Sequence, residues 1–188
     1  AKTYAAKYES FLMQLELLGW ERRIMLRAKD VKNLQALQTK WQEEENNILK
    51  AYGDLNKLKQ LEQEIISFSV RTGPGQAMGK LDFLKQLLKN ELLHNKRKSF
   101  ICEAYRLLII YMCSTSASKY NALNTFISHF NKAPHRIEEQ FIVYHHNLLA
   151  LADKAMTLKK YTAAGKHLQT IKTLHFNRQD ILKPIDRI

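Results

Sequence analysis

The sequence predicts an all-α protein, with a long, coiled-coil-like N-terminal helical hairpin followed by a compact helical bundle. Two observations predict this fold class. Hydrophobic residues make up 45% of the 188 residues, yet only six are glycine and three are proline, too few for a fold of many short strands joined by turns. Apolar side chains also recur at steps of three and four residues along most of the chain, which is the period of one helix face.

The first third of the chain carries two apolar series with this period. One extends from Tyr8 to Leu18, and the other continues from Val31 to Ile65. Two helices that each bury one face form a hairpin, so residues 1–70 are predicted to be a helical hairpin or extension. The second series forms an apolar seam for a partner helix or a second copy of the chain, with Leu34, Leu37, Trp41, Ile48 and Leu55 as the predicted partner-binding residues.

Residues 71–79 are predicted to be a Gly/Pro linker. Pro74 disfavours a helical conformation in the residue before it, and the neighbouring glycines lower helix propensity. Residues 80–188 are predicted to form the bundle, continuous with the hairpin or separate from it. The apolar run of 14 residues from Phe100 to Cys113 is shorter than the roughly 20 needed to span a bilayer, so it is predicted to be a buried helix.

The last third of the chain is predicted to contain three helices. Ser118 is expected to cap the first, and Pro134 opens the next at a first-turn position where proline is tolerated. Residues 134–176 then form a hairpin. Its spacing is similar to one helix-turn-helix unit of a tetratricopeptide repeat, with Tyr161 and Ala164 where the second helix of such a unit places Tyr and Ala. Since no period of about 34 residues recurs elsewhere, the resemblance implies a packing motif.

The core of the predicted bundle consists of large apolar residues from these helices. They are Phe83, Leu87, Phe100, Leu107, Leu108, Phe126, Phe141, Leu148 and Leu168.

The Gly-rich segment does not match a nucleotide-binding loop. Such a loop needs GxxxxGK followed by Ser or Thr, because the spacer folds its amides around the phosphates and the hydroxyl binds magnesium. Gly73 and Gly79 enclose a spacer that is too long, Gly75 and Gly79 one that is too short, and Leu81 replaces the hydroxyl residue. We therefore predict no nucleotide site.

The histidines and cysteines show no catalytic or metal-binding pattern. HExxH is absent, and the adjacent His145 and His146 point about 100° apart on a helix. Cys102 and Cys113 lie in the most apolar run, where a thiolate is disfavoured, and no nucleophile motif occurs. We predict a protein that is not an enzyme and that uses neither a metal nor a cofactor.

The chain is strongly basic, with 30 Lys and Arg against 18 Asp and Glu and a formal net charge of +12. Such an excess favours polyanionic partners or acidic proteins. Three basic clusters supply candidate anion-binding residues, namely Trp20, Arg22, Arg23 and Arg27, then Lys96, Arg97 and Lys98, and finally Lys159 and Lys160.

From these patterns we expect a non-catalytic interaction module that docks a protein partner or a second copy through its apolar seam. The alternative is that the basic clusters bind a phosphoinositide-bearing or otherwise anionic membrane. RNA is the less favoured anion, because lysine predominates and does not read bases bidentately. Reduced cysteines and the lack of a visible signal sequence predict a cytoplasmic location, peripheral to a membrane under the alternative, and the composition would also suit one domain of a larger bacterial effector.

Overall fold

The structure is a computed structural model that describes residues 1–27, 34–71 and 77–176, and the chain divides into two compact units, Ala1–Cys113 and Ser114–Ile188. The first unit contains α1 (Lys2–Lys7), α2 (Phe11–Arg27), α3 (Leu34–Arg71), α4 (Ala77–Leu87), α5 (Glu91–His94) and α6 (Phe100–Cys113). The second contains α7 (Ser116–Asn131), α8 (Pro134–Glu139), α9 (Phe141–Thr157) and α10 (Tyr161–Phe176). All regular structure in the described ranges is helical, which confirms the predicted fold class.

The long helix α3 organises the first unit. It has 38 residues and is therefore about 57 Å long. Its apolar seam is buried at positions from Trp41 to Ile65. Helices α2 and α6 both pack on α3, so the predicted N-terminal hairpin is present as the α2–α3 pair.

The boundary between the two compact units differs from the predicted one. The sequence placed it at residues 71–79, whereas the structure divides after Cys113. The reason is length, since α2 has 17 residues and can cover only part of α3. The rest of the seam is covered by α4 and α6, which makes residues 77–113 part of the first unit. Residues 72–76, the centre of the predicted linker, lie outside the described residues.

The N-terminus of α6 is capped by groups from two parts of the first unit. The Ser99 hydroxyl accepts a hydrogen bond from the Cys102 amide at 3.2 Å. The two carboxylate oxygens of Glu9, just after α1, accept the amides of Phe100 and Ile101 at 2.8 Å each. Glu9 itself lies in the left-handed region, with φ at 51°. The cap therefore fixes the end of α1 against the start of α6.

The second unit is built around α9. Aromatic rings of α7 and α9 pack together, with the Phe130 and Tyr144 centroids 5.8 Å apart, and the Tyr144 hydroxyl donates to the Asn131 side chain at 2.8 Å. Helices α9 and α10 form the predicted C-terminal hairpin. Its interface contains the fully buried small residues Ala155 and Ala164, which allow close approach of the two backbones.

Three details of the second unit differ from the prediction. Thr115 precedes the first residue of α7, so Ser118 lies within the helix and is not its cap. Pro134 does stand in a first turn, but α8 ends at Glu139 and α9 is a separate helix. Leu168, predicted as a core residue, is 49% exposed, because the face of α10 that packs inward carries Ala164 and Ile171.

Candidate functional site

Helix α2 is apolar on two sides. Its inner side buries Phe11 and Leu18 within the first unit. Its outer side exposes large apolar side chains that are each at least half accessible, namely Leu12, Met13, Trp20, Ile24 and Leu26. Large apolar side chains grouped on one exposed side of a helix form the kind of surface that a second molecule covers.

Two arginines lie among these apolar residues. The guanidinium carbon of Arg23 lies 5.1 Å from the centroid of the Trp20 ring, a cation–π contact. Arg27 is exposed one turn further along, and Glu16 is the exposed acid of this helix side. We call the surface formed by Leu12, Met13, Trp20, Arg23, Ile24, Leu26 and Arg27 the α2 outer face.

The structure separates Arg22 from the cluster in which the sequence placed it. One guanidinium nitrogen of Arg22 donates to the carbonyl of Trp41 at 3.0 Å and to the Glu45 carboxylate at 2.7 Å. These contacts hold α2 on α3. Arg22 is therefore a structural residue of the hairpin, while Trp20, Arg23 and Arg27 remain together on the outer face.

The second basic cluster is also divided. The Arg97 guanidinium donates to the carbonyl of Leu92 at 3.1 Å and to the carboxylate of Asp54 at 3.3 Å. These bonds fix the segment that connects α5 with α6, so Arg97 serves the fold. The flanking Lys96 and Lys98 are exposed and line a pocket beside α3.

The third cluster lies at the α9–α10 turn in the second unit. Lys159 takes a left-handed conformation, with φ at 57°, and its amide donates to the carbonyl of Met156 at 2.9 Å. The Lys160 ammonium lies 4.2 Å from the centroid of the Tyr120 ring on α7. Both lysines have a local structural role, since one closes the turn and the other contacts an aromatic ring.

The predicted partner-binding seam is mostly occupied by the chain itself. Trp41 is 3% exposed, and Ile48 and Leu55 are likewise buried in the core of the first unit. These three side chains have almost no accessible surface left for a partner. Leu34 and Leu37, near the start of α3, are half-buried.

Four apolar members of the α2 outer face were not predicted from the sequence, namely Leu12, Met13, Ile24 and Leu26. A signal for them was present, because the α2 sequence contains apolar residues outside the three-and-four series that forms its buried side. A three-and-four series identifies one apolar face of a helix, and a second apolar face has to be looked for separately.

His, Cys, Asp and Glu side chains are the potential metal ligands in the described part of the chain. No three His, Cys, Asp or Glu residues converge as metal ligands within those ranges. Burial raises the pKa of the Cys113 thiol to about 11 and also raises that of Cys102, so both thiols are protonated near neutral pH. Among the described helices, none has the length and apolar character to cross a bilayer.

Comparisons of the chain with protein-family models, with curated proteins and with solved structures find no match. The α2 outer face and the pocket beside Lys96 and Lys98 are candidate sites on the described part of the chain.

Proposed function

We propose that the protein is a non-catalytic helical interaction module that binds an acidic protein partner through the α2 outer face. The observation that carries the proposal is the exposure of Met13, Trp20 and Ile24 beside Arg23 and Arg27. Burial of such apolar side chains drives association, and the arginines determine which charge the partner must carry.

The composition of the surface favours a protein partner over a lipid surface. Trp, Met and Arg are enriched in protein interfaces, while Lys is depleted. All three cations of α2 are arginine, and the helix contains no lysine. Arginine also pairs with carboxylates in a bidentate geometry that lysine cannot adopt.

The shape of the surface indicates the kind of protein segment that fits. Helix α2 has 17 residues, so its outer face is about 25 Å long and one helix wide. An amphipathic helix packs on such a surface with apolar anchors spaced by three, four and seven residues. Asp or Glu beside those anchors would meet Arg23 and Arg27. The formal net charge of +12 would speed the encounter with an acidic segment.

Selection from a library of helical peptides tests this proposal without requiring the natural partner. Peptides with a randomised face would be selected on the full chain, and their affinities measured by fluorescence anisotropy. We expect the enriched peptides to combine apolar anchors with Asp or Glu. Trp20→Ala combined with Arg23→Glu should weaken their binding by about tenfold or more, because Trp and Arg dominate interface energetics.

The matched control changes the same kinds of residue elsewhere on the first unit. Ile66 and Lys57 are exposed on α3, so Ile66→Ala with Lys57→Glu alters apolar area and charge similarly. This control should bind the selected peptides within about twofold of the wild type. Equal losses in both double variants would contradict the assignment to α2.

Two further measurements test whether a membrane or a second copy of the chain occupies this surface instead. Flotation with vesicles of anionic lipid at near-physiological salt tests for membrane binding, and sedimentation equilibrium tests for a second copy. If vesicles bind in a way that depends on Trp20 and no peptide is enriched from the library, the ligand of this surface is a membrane and not a protein. Concentration-dependent dimers abolished by Trp20→Ala would replace it by self-association.

A further inference from the structure

A basic pocket lies between α3 and the segment that precedes α6. It encloses about 400 Å³, within the size range of sites for small ligands. Helix α3 contributes Asn47, Lys50 and Asp54, and the segment contributes Lys96, Lys98 and Ser99. We call this site the lysine pocket.

The lysine pocket has an uncompensated positive charge. Asp54 is the acid of its lining, and its carboxylate already pairs with Arg97. Within the described residues, none of Lys50, Lys96 and Lys98 forms a salt bridge with an acid of the chain. Three ammonium groups around one concavity repel each other and raise the local concentration of anions.

The wall that carries two of these lysines is held in place by the fold. The backbone amide of Arg97, between Lys96 and Lys98, donates to the Glu103 carboxylate at 2.8 Å. Glu103 is buried and also accepts two hydrogen bonds from Arg106, at 2.7 and 2.8 Å. Because this anchor is internal to the first unit, the two lysines lie on a braced segment, which lowers the ordering cost of binding.

Uncharged donors complement the three ammonium groups. The Ser99 oxygen accepts the Cys102 amide, so the hydroxyl proton of Ser99 is available to donate. The Asn47 side chain is exposed at the other side of the pocket and offers two amide protons. Ammonium, hydroxyl and amide donors around a small cavity are the groups that bind phosphate oxygens.

We infer that the lysine pocket binds a small, multiply phosphorylated ligand, with Lys50, Lys96 and Lys98 as the cations that hold its phosphate oxygens. The same chemistry would serve a free phosphorylated compound or the phosphorylated headgroup of a lipid. This inference does not depend on the α2 outer face, which shares no residue with the pocket.

Isothermal titration calorimetry with inositol hexakisphosphate and with pyrophosphate tests the inference on the full chain at about 0.15 M salt. We expect saturable binding of one ligand per chain. Lys50→Gln, Lys96→Gln and Lys98→Gln together should weaken it by about tenfold or more, since each lysine contributes a charge-assisted contact. A control variant with Lys40→Gln, Lys57→Gln and Lys85→Gln removes three exposed lysines of the same unit and should stay within about twofold.

A gain of affinity provides a second test that does not depend on weakened binding. Asn47→Lys adds a cation at the pocket and should tighten binding by about threefold or more. The control is Asn46→Lys, which adds the same charge one residue away, on another side of α3. Circular dichroism confirms that each variant is folded. Vesicles with and without phosphoinositide, at equal surface charge, then distinguish a lipid headgroup from a free ligand.

Three outcomes would overturn the inference. The first is no binding of either soluble probe or of the phosphoinositide vesicles. The second is binding that disappears at about 0.15 M salt, which would reflect only the general charge of the protein. The third is an equal loss in the two triple-lysine variants or an equal gain in Asn47→Lys and Asn46→Lys. Loss of pocket binding with intact peptide binding would leave the function proposed for α2 untouched.

Discussion

At the scale of single residues, Glu9 connects two distant segments of the first unit. Its carboxylate accepts the first two amides of α6, 91 and 92 residues away in sequence. Because a carboxylate at a helix N-terminus satisfies amides that have no partner in the helix, we expect Glu9→Gln to lower the free energy of unfolding by about 1–2 kcal/mol. Urea denaturation measures this change.

The matched control for Glu9 is Glu64→Gln, which removes an exposed carboxylate from α3. It should change the free energy of unfolding by less than about 0.5 kcal/mol. Similar effects of the two substitutions would mean that the Glu9 cap contributes little to stability. No sequence pattern predicts this cap, because its two halves come from segments that become neighbours only in the folded chain.

His167 is expected to make the stability of the second unit depend on pH. Its Nε2 atom is buried and has no hydrogen-bond partner among the described residues, and burial lowers the pKa of the imidazole. Because the imidazole has a lower pKa in the folded chain than in the unfolded chain, acid favours the unfolded chain. The free energy of unfolding is therefore full above the unfolded pKa of about 6.5 and is reduced as the pH falls through the folded pKa. Acidification should therefore destabilise the second unit.

Replacement of His167 by leucine tests this dependence. His167→Leu removes the titrating group, so the variant should lose less stability than the wild type on acidification. It also removes the unsatisfied nitrogen, so its free energy of unfolding near neutral pH should be about 1 kcal/mol higher. Thermal unfolding at several pH values measures both effects. His146→Gln, on an exposed position of α9, is the control and should keep the wild-type dependence. A wild-type dependence in His167→Leu would contradict the prediction.

At the scale of elements, the segment between α5 and α6 depends on Arg97. Its guanidinium contacts two carbonyls of α5 and the Asp54 carboxylate of α3. Arg97→Ala would leave these acceptors without their charged donor, so we expect a loss of about 2–3 kcal/mol in the free energy of unfolding. Lys98→Ala, one residue away and exposed, should change it by less than about 0.5 kcal/mol. Equal losses of unfolding free energy for Arg97→Ala and Lys98→Ala in chemical denaturation would contradict this role of Arg97.

The elements themselves were largely predictable, because periodicity reports which side of a helix is apolar. The buried run of α6 and the seam of α3 both followed from that signal. What covers an apolar seam was not predictable from periodicity. Trp41, Ile48 and Leu55 have the pattern expected of a docking surface and of a core alike, and only the packing of α2 and α6 shows that they belong to the core.

The basic clusters likewise show that the sequence does not reveal which cations the fold itself uses. Arg22 and Arg97 lie in basic stretches with Arg23 and Lys98, yet each of the first two binds acceptors within the fold. Adjacent residues on a helix or loop point in different directions, so a cluster in sequence need not be a cluster in space. The outer face and the lysine pocket each retain only part of a predicted cluster.

At the scale of the whole molecule, the boundary after Cys113 predicts which fragments fold alone. A fragment of residues 1–113 keeps α6 on the seam of α3 and should unfold cooperatively with urea. A fragment of residues 1–70, the hairpin expected from sequence, would expose Leu58, Leu61 and Ile65, all of which are buried in the full chain. Circular dichroism during urea titration should show a weaker, less cooperative transition for the shorter fragment.

A cooperative transition of equal stability in both fragments would contradict this boundary. It would mean that α2 and α3 form a sufficient core and that α6 adds nothing to it. The longer fragment also contains the α2 outer face and the lysine pocket, so its folding would allow both sites to be studied without the second unit.

The assignment of the α2 outer face as a docking surface can be checked through the fluorescence of Trp20. Trp20 is 51% exposed and Trp41 is 3% exposed, so Trp20 is the indole that quenchers in water reach. Acrylamide quenching of the full chain, with and without a selected acidic helical peptide, measures its protection. We expect a blue-shifted emission and reduced quenching at saturation, with both changes absent in Trp20→Phe. Peptide binding that leaves Trp20 fully accessible would contradict the assignment and place the docking surface elsewhere.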